Sequence, residues 1–80
     1  MEPEPVEEMA ELAHDVWARW MKYLFGLSLE TVEGSYIIPK SMCERWTRQM
    51  NAPYSALSER EKDSDRRIAA EYLDCMRKAR

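Results

Sequence analysis

Eighty residues with a net charge of −3 allow one small domain with a thin core, because a chain of this size buries only about 60% of the surface its unfolded form exposes. The charge balance offers no basic footprint for duplex nucleic acid. No apolar run nears the ~18 residues that a membrane span needs, and Gly26 and Gly34, the only glycines, cannot build a glycine-rich phosphate loop.

The start, Met1-Glu2-Pro3-Glu4-Pro5, is acidic and proline-rich, the opposite of a signal peptide's basic and then apolar start. Residues 1–5 are read as a disordered lead and 6–80 as one helical domain. Cys43 and Cys75 stand at no metal-ligand spacing, and reduced thiols in a cytoplasmic chain are expected.

A first helix is predicted from Val6 to Phe25, on the three-and-four spacing of Met9, Leu12/Ala13, Val16/Trp17, Trp20/Met21 and Leu24. Glu8, Glu11, Asp15, Arg19 and Lys22 take the other side, with Asp15 and Arg19 as an i,i+4 pair. Gly26 is placed to end the helix at C′. Residues 27–38 change period. Leu29, Thr31 and Val32, then Tyr36, Ile37 and Ile38, are strand formers around Glu33-Gly34-Ser35, which predicts a short β-hairpin turning at Gly34.

Pro39 suits the first position of a second helix, and Ser41 followed by Glu44 reads as a capping box. Met42/Cys43, Trp46 and Met50 give its apolar stripe to about Met50, with Arg45 and Arg48 outside and Asn51 as a left-handed cap. Pro53 then drives Ala52 out of helical geometry. The last helix starts at Ser58, where Glu61 closes a second capping box. Its inner face is read as Ile68/Ala69, Tyr72/Leu73 and Cys75/Met76. One turn back, Asp65 falls on the same stripe. A carboxylate there needs a partner from elsewhere, such as Tyr54, His14 or an indole N–H. The fold expected is mainly α, a small three-helix domain with a short β-hairpin between helices 1 and 2. Three Trp, four Tyr, one Phe and six Met are a heavy apolar load for it, so a homodimer or higher homo-oligomer is expected.

The stretch Pro53-Tyr54-x-x-Leu57-Ser58-Glu59-x-x-Lys62-x-x-Asp65-Arg66 resembles the RyR (ryanodine receptor) domain, which also occurs alone in bacterial and phage proteins. Leu12-Ala13-His14-Asp15-Val16-Trp17-Ala18 is similar to that domain's opening helix. The likeness covers residues 9–24 and 46–75. It departs over Leu27 to Ile38, where the family has a glycine- and aromatic-rich hairpin, and in the added helix that bears Trp46. The chain is closest to short phage-encoded or stand-alone bacterial relatives. The resemblance implies a compact helical module that binds a nucleotide-derived small ligand, with sequestration of a host immune signal in the host cytoplasm as its use. The alternative is a module that binds a host or phage protein and no small ligand.

The residues that could carry ligand binding are His14, Trp17, Tyr54, Asp65 and Arg66. His14 is the only histidine; it has no neighbour at metal-ligand spacing and no nucleophile motif beside it, so a hydrogen-bonded place at the core edge is its default. Trp17, Trp20 and Trp46 could stack a base, although core packing is the default for Trp17 and Trp46. Arg66 and Arg67, with Arg45, Arg48 and Arg60, could clamp phosphate or simply form a solvated face. Glu59, Glu61 and Asp63 suit a helix's first turns without any further role. No catalytic residue, metal ligand or cofactor is assigned, and an enzyme is not expected.

Overall fold

The computed structural model describes residues 5–78. Pro5 opens the first helix, α1 (Pro5–Leu27), so the predicted lead shortens by one residue and the rest of it, 1–4, lies outside the described residues. Proline is tolerated there because the first turn has no partner for its missing N–H. Glu7 and Glu8 follow in that turn, where negative charge is favoured.

At its other end α1 runs through Gly26, which has no positive φ. Ser28 stops the helix instead, its Oγ donating to the Leu24 carbonyl at 2.7 Å. The hairpin follows as predicted. Strands β1 (Leu29–Glu30) and β2 (Tyr36–Ile37) pair antiparallel, Leu29 with Ile37 and Glu30 with Tyr36. Gly34 supplies φ +90°. Thr31 closes the turn: its N–H donates to the Ser35 carbonyl at 2.7 Å, and its Oγ1 accepts from the Ser35 N–H at 3.0 Å.

Helix α2 (Lys40–Met50) has Pro39 as its extended N-cap and no side-chain cap bond. The Pro39 carbonyl accepts from the N–H groups of Met42 and Cys43, both at 3.0 Å. The expected Ser41–Glu44 box is therefore not made, and Glu44 pairs with Lys40 at 3.8 Å. Asn51 is not left-handed either (φ −97°, ψ 2°); its Nδ2 donates to the Thr47 carbonyl at 2.8 Å. A single 3-10 turn, Tyr54–Ala56, carries the chain to α3 (Glu59–Lys78). There the predicted box is present in both directions. Glu61 Oε1 accepts from the Ser58 N–H at 3.0 Å, and Ser58 Oγ accepts from the Glu61 N–H at 3.2 Å.

The chain divides into two compact units, Met1–Arg19 with Ser58–Arg80, and Trp20–Leu57. Among the described residues none is buried. The interior consists of half-buried stripes: Met9, Leu12 and Val16 on α1, and Ser64, Ile68, Tyr72 and Cys75 on α3, in the first unit; Met21, Leu24, Met42, Trp46 and Gln49 in the second. Along α1 the stripe jumps five residues, from Val16 to Met21, at the point where the units divide. The stripe on α2 is rotated from the predicted one. Arg45 and Gln49 are half-buried, while Cys43 is exposed and Met50 is 74% exposed.

Candidate functional site

Four of the five candidate residues lie in the first unit. His14 and Trp17 stand one turn apart on α1, their rings 5.8 Å between centroids and tilted by 34°. That contact follows from i,i+3 spacing alone. Neither ring is in a core. His14 is exposed, and Trp17 keeps 58% of its surface in water, which overturns core packing as its default. The pair is a solvent-facing aromatic platform. Trp46, by contrast, is half-buried, with its ring 6.5 Å from that of Tyr23.

Asp65 and Arg66 follow on α3. The inner stripe passes through Ser64 rather than Asp65, which is exposed. Counting back four residues from Ile68 selects Ser64, and counting back three selects Asp65; the helix takes the first. Asp65 needs no buried partner, and solvation accounts for its charge. Arg66 Nη1 is committed to two carboxylates, Glu59 Oε2 at 2.9 Å and Asp63 Oδ1 at 2.8 Å. A guanidinium held this way offers little to a phosphate, because an anion would first have to displace both acids. Tyr54, the fifth candidate, sits in the 3-10 turn within the other unit and is 49% exposed.

Arg19 pairs across elements rather than along α1. Its Nη2 donates to both oxygens of Glu71, at 2.9 and 2.8 Å, and the predicted pair with Asp15 is replaced. With the side chains 56% and 38% exposed, solvent screening limits this bridge to about 0.2–1 kcal/mol. Its value is positional, since it ties α1 to α3 within one unit.

The second unit holds an aromatic group that spacing alone did not single out. Trp20 meets Tyr23 edge-on at 5.7 Å, and Phe25 stacks on Tyr36 of β2 at 4.9 Å with the planes 10° apart. Stacking pins the hairpin to the end of α1, which a marginal two-strand ribbon needs. An open groove of about 680 Å³ runs along α2, lined by Cys43, Glu44, Thr47, Arg48, Asn51 and Ala52; it contains none of the five candidates. Both thiols are free. Among the described residues no group of three or more His, Cys, Asp or Glu could hold a metal ion, and no helix is long and apolar enough to cross a membrane. No protein family, curated protein or solved structure matches the chain.

Proposed function

We propose that the chain is a non-catalytic interaction module whose exposed aromatic and aliphatic side chains bind protein. The observation that carries this reading is the inverted burial. No described residue is buried, yet fifteen large apolar side chains are at least 37% exposed. Single exposed apolar residues are ordinary, but contiguous ones mark interaction surfaces. In the second unit Phe25, Leu29, Tyr36 and Ile37, at 44–64% exposure, cluster on the hairpin and the end of α1. Val32, fully exposed, stands at the hairpin's turn. The likeness of Pro53-Tyr54 through Asp65-Arg66 to the RyR domain supports a compact module, phage-encoded and acting on a host or phage protein in the host cytoplasm.

Co-purification of the tagged full chain from infected cells tests this. A partner retained by the native chain and lost with Ile37→Glu is the expected result. A chain that elutes as a clean monomer with no retained protein sinks the reading.

The His14–Trp17 platform favours a second reading, a nucleotide-derived small ligand stacked on Trp17, because an exposed indole holds a base by about 1–3 kcal/mol. Arg67, on the same unit, would have to serve the phosphates in place of Arg66. Calorimetry against cyclic nucleotides and ADP-ribose derivatives tests it. Heat of binding that Trp17→Ala removes would support it, and silence across the panel at millimolar concentration would end it.

A further inference from the structure

One face of α1 carries an unbroken heptad seam that the chain itself leaves largely open. Val6, Ala10, Ala13, Trp17, Trp20, Leu24 and Leu27 follow one another at alternating steps of four and three, the period of a helix pairing surface. Ala10 and Ala13 are exposed, and Val6, Trp17, Trp20 and Leu27 keep 71%, 58%, 42% and 37% of their surface in water. Leu24 is half-buried and is shared with the interior of its own unit. The half-buried stripe through Met9, Leu12 and Val16 is a different face, so α1 serves its own unit and still has this one to offer.

We infer that the occupant of the seam is a second copy of this chain, packed antiparallel on α1 about a two-fold axis near residue 15. The proposal deepens the interaction-module reading and rests on it. Two observations select the occupant and its direction. The first is shape. An antiparallel pair centred on residue 15 sets Ala13 against the partner's Trp17, Ala10 against the partner's Trp20 and Val6 against the partner's Leu24. Small meets large in the alanine layers, which is how facing positions interdigitate. A parallel pair would set alanine against alanine and indole against indole, leaving gaps in two layers and crowding in the next two. The second is charge. The first half of α1 carries Glu7, Glu8, Glu11 and Asp15, the second Arg19 and Lys22. Antiparallel apposition brings the acidic half level with the basic half; parallel apposition brings four acids level with four acids.

The area suffices for such a pair. A 23-residue helix is about 34 Å long. The exposed fractions of Trp17 and Trp20 add up to one whole indole side chain, roughly 150–250 Å², contributed twice by symmetry. An isologous contact of this kind closes on itself and makes a dimer rather than a fibre.

Sedimentation equilibrium on the full chain tests the proposal. The native chain is expected to be a dimer at micromolar concentration. Ala13→Glu places a charge against the partner's indole and is expected to weaken association at least a hundredfold while the helical circular dichroism remains. Direction is read separately, in a chain with Cys43→Ser and Cys75→Ser. His14 flanks the seam beside the axis, so His14→Cys is expected to give a disulfide-linked dimer on mild oxidation, as only the antiparallel arrangement puts both copies on the same side. A native chain that stays monomeric at 100 µM overturns the inference, even if it still captures another protein and the module reading survives. A dimer that Ala13→Glu leaves intact, or one that His14→Cys fails to cross-link, overturns it as well.

Discussion

Ser41-x-x-Glu44 and Ser58-x-x-Glu61 are the same four-residue signal, and only the second caps a helix. The difference lies in what precedes each serine. Leu57 is extended at φ −72°, ψ 155°, so the chain enters helix only after Ser58, whose side chain can then bind the Glu61 N–H. Before Ser41 stands Pro39-Lys40. Pro39 is locked at φ −57° with an extended ψ of 145°, and its carbonyl already accepts the first helical N–H bonds. The helix therefore begins one residue before Ser41, and the hydroxyl arrives too late to cap. A capping sequence works where the last extended residue places it. The two glycines make the same point: Gly34 takes a conformation that side chains resist, and Gly26, expected to end a helix, is an ordinary helical residue.

The largest effect expected from this contrast is at Gly34. Its φ of +90° costs an alanine about 1–2 kcal/mol, and the space around a new Cβ is empty, so backbone strain is the whole penalty. Gly34→Ala should speed exchange of the Thr31 amide by roughly tenfold per 1.4 kcal/mol lost. Unchanged protection would show that the turn does not need this conformation. Next is Ser58→Ala, which removes one bond of the reciprocal cap and leaves Glu61 holding the Ser58 N–H. A loss of about 1 kcal/mol is expected, seen as a fall in Tm of roughly 4–8 °C at fixed protein concentration, since association itself raises Tm.

The fold is legible in the sequence where a signal is local and redundant. Three helices and a hairpin turn follow from period, Gly34 and the Ser58 box, each supported by a neighbouring residue of the same meaning. The candidate site is less so, for a geometric reason. Whether Asp65 or Ser64 faces inward depends on three-versus-four counting from Ile68, a difference of about 100° around the helix that the Ile68/Ala69 pair leaves open in the sequence. Arg66 reads as a phosphate candidate because Glu59, seven residues back, cannot be assigned to it without the turn geometry. Trp17 reads as core because Met9, Leu12 and Val16 lie on an adjoining face and the apolar sector of α1 is broad. What separates the two faces is the heptad step from Val6 through Ala10 and Ala13 to Trp17. That step is written in the sequence, but only the exposure of those four residues shows that it points away from the rest of the unit.

The smaller predictions isolate the silent members of each pair. Gly26→Ala should stabilise by about 0.5 kcal/mol, because a helical glycine loses backbone entropy that alanine does not and a Cβ there meets nothing within 4 Å. A rise in Tm is expected, where a glycine acting as a left-handed cap would give a fall. Ser41→Ala is the finest test. Serine inside the first turn of α2 makes no cap bond, and alanine is the better helix former by no more than about 0.7 kcal/mol. The expected change is therefore a gain of a few tenths, opposite in sign to Ser58→Ala. Should Ser41→Ala cost as much as Ser58→Ala under the same conditions, the start of α2 lies at Ser41 after all, and Pro39 is not what sets it.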